Sequence, residues 1–218
     1  MNVTLGSDEC CPERGYQMIE LTKLTHVILT LPDWAIDENK QLPEFMPSLE
    51  ERMAAVIRFS RLNFEQGTGG PFAAGVFERD SGRRIIIGVN RVVPLNCSSA
   101  HAEVTTLSFA QKMLGTYDLG GPGMPVYQLV VNWRPCVMCY GAVLWSGVRS
   151  LAIAGSGPEL EAITGFDEGP IHPAWDQELA KRGIELINDV LKEEALAVYR
   201  DFAASGALVY NARAAGKS

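Results

Sequence analysis

His101-Ala102-Glu103 and Pro135-Cys136-Val137-Met138-Cys139 carry the residue types that hold a reactive zinc ion. One imidazole and two thiols make three protein ligands. That leaves the fourth position of a tetrahedral ion to water, as a catalytic zinc site requires. Cys136 and Cys139 stand three apart at the head of an expected helix, where positions i and i+3 share a face and both sulfurs can reach one ion. Helix-start amides lower thiol pKa values and favour the thiolates that zinc binds. Two thiolates and a neutral imidazole offset the charge of the divalent ion. Glu103, two residues beyond His101, is too close to ligate conveniently beside that ring, but its carboxylate can face the water.

Zinc lowers the pKa of such a water to about 7. The nucleophile it yields can attack a ring carbon that carries an amino group. Glu103 would take the water's proton, protonate a ring nitrogen and assist the departure of ammonia. A closed structural knuckle would need a fourth Cys or His, and the remaining histidines are His26 and His172. The H-x-E…P-C-x-x-C pattern is already known as the signature of the zinc-dependent nucleobase deaminases, which this chain resembles.

The 218 residues suffice for one full core, and 47% of them are hydrophobic. No apolar tract is long enough to span a membrane, and Met1 to Cys11 lacks the basic start and apolar run of a secretory signal. The net charge is −7, from 26 acidic against 19 basic side chains. A nucleic-acid enzyme draws most of its affinity from phosphate contacts, so a small neutral substrate fits this balance better than RNA. Two of the five cysteines sit in the C-x-x-C. Cys10, Cys11 and Cys97 form no disulfide framework, and Cys10 and Cys11 read as bystanders. A reducing cytoplasm is the expected compartment.

The elements that must position these residues become legible at Ser48. Residues 1–46, broken by Pro12, Pro32 and Pro43, read as an N-terminal extension in which Val27–Leu31 forms an added strand or lies against the core. Residues 47–218 form the zinc-bearing domain. Ser48-Leu49-Glu50-Glu51 is a capping box, and Leu49, Met53, Val56 and Ile57 recur at helical spacing towards Glu65. Two apolar runs, Ala73–Phe77 and Ile85–Ile87, flank Asp80-Ser81-Gly82 as a hairpin. Helices are expected over residues 100–114, 136–146, 174–182 and 191–204, and strands over 126–131, 148–154 and 184–187. The alternation predicts an α/β fold with a sheet covered on both faces.

From about Arg52 to Arg213 the chain resembles, more narrowly, the bacterial guanine deaminases of the cytidine-deaminase superfamily. The matching stretches are Gly70-Pro71-Phe72-Ala73-Ala74, Asn90-Arg91-Val92-Val93-Pro94, the two zinc motifs, Gly165-Phe166-Asp167-Glu168-Gly169-Pro170 and the tail Tyr210-Asn211-Ala212-Arg213. The resemblance implies a three-layer α/β/α sandwich with a mixed central sheet, one zinc per chain, a homodimer, and conversion of guanine to xanthine. It implies that Asn90 hydrogen-bonds the base, Phe72 packs on its ring, the Ala102 amide meets an oxygen, and Glu168 is a second proton shuttle. Trp145 is a further pocket candidate. Ahead of Pro135 the chain departs from the family, which commonly has Glu there. Asn132-Trp133-Arg134 places a Trp that could narrow the pocket floor and reverses a charge. A smaller aminated ring, an aminotriazine such as ammeline or an aminopyrimidine, is therefore the first alternative. A tRNA adenosine deaminase shares both motifs but fits the acidic balance poorly, and a non-catalytic zinc protein would not need Glu103.

Overall fold

A five-stranded mixed sheet organises the computed structural model, which describes residues 27–211. Cys10, Cys11, His26, Ala212 and Arg213 lie outside the described residues. In chain order the elements are α1 (Asp33–Gln41), α2 (Leu49–Glu65), β1 (Ala73–Glu78), β2 (Arg84–Val89), α3 (Val92–Leu95), α4 (Ala102–Leu114), β3 (Tyr127–Val131), α5 (Val137–Ser146), β4 (Ser150–Ile153), α6 (Glu159–Thr164), α7 (Trp175–Lys181), β5 (Glu185–Ile187) and α8 (Lys192–Ser205). The strands lie in the order β2-β1-β3-β4-β5. β1 is antiparallel to both β2 and β3, while β3, β4 and β5 run parallel. A parallel pair needs a crossover; α5 supplies the first, and α6 with α7 the second.

Local chemistry explains the main elements. Glu51 donates its amide to Ser48 Oγ at 3.1 Å and accepts the Ser48 amide at 3.2 Å, which completes the capping box of α2. Side chains alternate across the sheet. Ala73 and Phe77 of β1, Val130 of β3 and Ala152 of β4 pack with Met53, Phe59, Leu196, Tyr199 and Phe202 of α2 and α8. Ala74 and Val76, Leu129 and Val131, Leu151 and Ile153 meet Leu107, Val143 and Leu179 of α4, α5 and α7 on the other face. Each Val, Leu, Ile, Phe or Met among them contributes about 1.5–3 kcal/mol when fully buried. The result is the expected α/β/α sandwich.

The N-terminal segment differs from expectation. Val27–Leu31 forms no strand; Val27 and Ile28 are exposed, and Leu31 packs against the core. Pro32 does not break structure but precedes α1 as its N-cap, where the missing amide hydrogen removes no helix bond. Asn39 of α1 then acts as a strand partner for the free edge of β2. Its Nδ2 donates to Ile87 O at 2.8 Å, and its Oδ1 accepts the Ile87 amide at 3.0 Å. A short bridge from Phe45 to Arg83 continues the cover. An edge covered in this way is a poorer template for pairing with another chain.

Candidate active site

Two helix mouths build the metal group. His101 is the extended N-cap of α4 and Cys136 the extended N-cap of α5, so both side chains sit where unpaired helix amides point. Cys139 follows in the first turn of α5 and is fully buried. The three ligand atoms lie within 4.8 Å of one another, with Cys136 Sγ 3.5 Å from His101 Nδ1. Zn–S bonds of about 2.3 Å and Zn–N bonds of about 2.1 Å at tetrahedral angles put neighbouring donors roughly 3.6–3.8 Å apart. The donor set therefore fits zinc in type and in spacing. Among the described residues no fourth His, Cys or carboxylate joins the group, which leaves the open position of a reactive site.

The charges around this group compete. A hydrogen bond from Cys139 brings the Cys136 thiol down to about 4, against burial and with help from His101. Cys139 is pushed up in turn by sharing with Cys136 and by burial. Burial raises the Glu103 carboxyl, and the Cys136 thiolate adds to it. Burial, Cys136 and Glu103 together push Glu168 up to about 8. Burial draws His101 down, but its bond to Cys136 and the nearby Glu103 and Glu168 charges outweigh that and raise it. A divalent cation among these groups reverses the sign of the local field.

A cavity of about 410 Å³ opens over the group, in the size range of small-molecule sites. His101, Glu103 and Cys136 form its metal end. Asn90 lines it and is 1% exposed. Its Oδ1 accepts the Val92 amide at 3.2 Å, while its Nδ2 has no partner among the described residues. A buried donor left unpaired costs about 1–3 kcal/mol, so this amide is set up for a ligand. Phe72 lines the same wall, edge-on to Phe166 at 5.0 Å and held by Tyr199 at 5.9 Å.

Trp133 reaches the cavity but is 2% exposed, with its ring against Gly155, where any Cβ would collide with it. Asn132 is structural: it accepts the Ala73 amide at 3.0 Å and donates to Pro71 O and Tyr199 Oη. Arg134 lines the cavity, and its Nε is buried without a partner among the described residues. Glu168 is placed by its own backbone, whose oxygen accepts the Val137 amide at 3.1 Å. Asn211 holds the loop from the other side, accepting from the Asp167 amide at 3.0 Å and donating to Gly165 O at 2.7 Å. Tyr210 and Asn211 thus close the pocket over the Glu168 loop. Sequence reasoning quoted this tail without giving either residue a role, and it gave Arg134 none beyond its charge.

Trp145 is not in the pocket. It is 88% exposed and absent from the cavity wall. Six residues beyond the buried Cys139, at about 100° per residue, it points roughly 120° away from the metal face of α5. The Ala102 side chain is buried in the core beneath the sheet, away from the cavity; only its first-turn amide is available to the site.

Residues 46–154 match the family described as the cytidine and deoxycytidylate deaminase zinc-binding region. That span is half of the chain and contains all three ligand candidates. The chain belongs to the cytidine and deoxycytidylate deaminase family. Over 139 residues this deaminase is 33% identical to the guanine deaminase of Bacillus subtilis, covering 63% of the chain and 84% of the relative. It aligns with the solved guanine deaminase from Nitrosomonas europaea at a TM-score of 0.77 and 46% identity, over 84% of this chain and 97% of that one. A solved structure in complex with 2,6-diaminopurine aligns at a TM-score of 0.79 and 46% identity, over 86% and 98% of the two chains.

Proposed function

We propose that this deaminase hydrolyses guanine to xanthine and ammonia. The observation that carries this reading is one cavity joining a three-ligand metal group, the buried Glu103 and partly buried Glu168 carboxylates, and the Asn90 Nδ2 that has no partner among the described residues. The similar proteins named guanine deaminases support it. In the reaction water adds its oxygen to the amino-bearing ring carbon, the carbon–nitrogen bond breaks, and the amine leaves as ammonia. Bound zinc supplies Lewis acidity and an acidified water. Glu103 accepts the water's proton and delivers it to the adjacent ring nitrogen. Glu168, whose carboxyl is raised first by burial, protonates the departing amine, and the proton left on the added oxygen replaces it as the ring carbonyl forms. Asn90 Nδ2 donates to a ring acceptor, Phe72 packs on the ring face, and the Ala102 amide receives the oxygen. Trp133 bounds the floor. Arg134 offers donors to the ring carbonyl.

The working molecule is proposed to be a homodimer in a reducing cytoplasm, with residues 47–218 as its catalytic domain. Met138 and Trp145 are exposed on α5, and Met138 also lines the cavity mouth. Cys97, Cys136 and Cys139 are free thiols. Among the described residues no helix is long and apolar enough to cross a membrane.

Ammonia release from guanine, adenine, cytosine, guanosine, ammeline and a tRNA anticodon stem tests the substrate. Guanine should be fastest. Ammeline ahead of guanine would mean that Trp133 excludes the purine, and adenosine in tRNA ahead of every free base would overturn the reading.

A further inference from the structure

Asn90 and Phe72 stand on a hydrogen-bond chain that begins half-buried in the N-terminal segment and ends buried at Asn63. Asn63 of α2 is fully buried, and its Nδ2 donates to Gly70 O at 2.8 Å and to Asn90 O at 2.9 Å. One side-chain amide thus ties together the two backbone segments that carry the pocket residues. The next link is Thr68, whose hydroxyl donates to Asn63 Oδ1 at 2.9 Å. Trp34 of α1 closes the chain, donating its Nε1 hydrogen to Thr68 Oγ1 at 2.9 Å while its ring packs on Phe59. A second buried side chain runs beside it. Arg91, next to Asn90, donates to Thr68 O at 2.6 Å and to Thr30 O at 3.1 Å. Its own amide donates to Ala100 O, immediately before the ligand His101. The packing leaves no slack. A Cβ at Gly69, where φ is +159°, would lie 2.1 Å from Asn90 O and 2.5 Å from Asn63 Nδ2.

We propose that Thr30 and Trp34 of the N-terminal segment, acting through Thr68, Asn63 and Arg91, position Asn90 and Phe72 for the substrate ring. Asn63, Thr68, Arg91 and Trp34 are positioning residues; none of them touches the metal group. The segment ahead of residue 47 would thus support the substrate site from behind without lining the cavity. A backbone carbonyl shifted by a few tenths of an ångström at Asn90, just beyond β2, moves its Nδ2 away from the ring acceptor, because backbone and side chain of one residue move together. The proposal deepens the guanine reading and rests on it for the identity of the ring.

The test compares the full-length zinc-loaded protein with Trp34→Phe, Thr68→Val, Thr68→Ser and Asn63→Ala. Metal content, melting temperature, kcat and KM are measured for each. Trp34→Phe keeps an aromatic ring beside Phe59 and removes the hydrogen bond with part of the indole's volume. Thr68→Ser keeps the hydroxyl that Thr68→Val deletes. One lost internal hydrogen bond corresponds to roughly 2–10-fold in an equilibrium. KM for guanine should rise by about that factor in Trp34→Phe and Thr68→Val, return to wild type in Thr68→Ser, and rise further in Asn63→Ala, with zinc unchanged. A purely structural role would lower the melting temperature of these variants and leave KM and kcat at 25 °C as in wild type; that result overturns the proposal. If wild type turns over ammeline or cytosine and not guanine, the guanine reading fails. The same variants are then compared on that substrate, where an unchanged KM overturns the positioning role independently.

Discussion

Glu103 and Glu168 approach the metal group from different elements, one from the first turn of α4 and the other from the loop after α6. Glu103 is buried and Glu168 half-buried beside the Cys136 sulfur, and both carboxyls are raised, first by loss of solvent. A second carboxyl beside the first, raised by burial, is placed to hand a proton to the amine as it leaves as ammonia. Glu168→Gln should therefore bind zinc as wild type does and lose roughly 10²–10⁴-fold in kcat; wild-type turnover in a zinc-replete Glu168→Gln protein would remove it from the mechanism. Arg134, which lines the cavity, is the proposed reader of the ring carbonyl. A guanidinium pairs with an oxygen and not with an amino group, and a good bidentate contact is worth about 1–3 kcal/mol. Arg134→Met should lower kcat/KM for guanine by roughly 10–100-fold and affect 2,6-diaminopurine, which has an amino group in place of the oxygen, much less. Equal losses on the two substrates would show that Arg134 does not read the ring. The ligand triad and Glu103 were legible in the sequence because metal chemistry fixes residue type and spacing together. Trp145 was misread because an aromatic near a site motif carries no phase: only the angle of α5 about its axis decides whether it faces the cavity or solvent.

At the level of elements, the capping box, the hairpin and the helices that open at the zinc motifs follow from local rules, and the structure keeps them within a few residues. The helix at the first motif starts at Ala102 and not at Ala100, because His101 must be extended to turn its ring toward the metal. α1 was not legible. Its helical stretch is short, bounded by Pro32 and Pro43, and its stability comes from tertiary contacts such as Asn39 on the β2 edge. Propensity alone does not reveal such a helix. The α2 cap gives a quantitative check. Ser48→Ala removes the acceptor for the Glu51 amide and should cost about 1 kcal/mol, seen as a lower urea midpoint at unchanged slope. An unchanged midpoint would mean that tertiary packing alone holds the start of α2.

The whole molecule places its chemistry where two helix mouths meet the ends of the parallel strands β3 and β4, with the tail clasping the Glu168 loop from outside. The same α5 that supplies both thiols presents Met138 and Trp145 to solvent, and the proposed homodimer would pack on these apolar side chains. Light scattering should give twice the chain mass for wild type and the chain mass for Trp145→Glu, with zinc retained; a dimeric Trp145→Glu protein would move the interface elsewhere. The central claim, hydrolytic removal of the guanine amino group at the His101–Cys136–Cys139 centre, has a direct chemical signature. Zinc-loaded protein incubated with guanine in ¹⁸O-labelled water, with the product analysed by mass spectrometry, should yield xanthine carrying one heavy oxygen and one equivalent of ammonia, and Glu103→Gln should yield almost none. Unchanged guanine, or equal labelled xanthine from Glu103→Gln, would contradict the account.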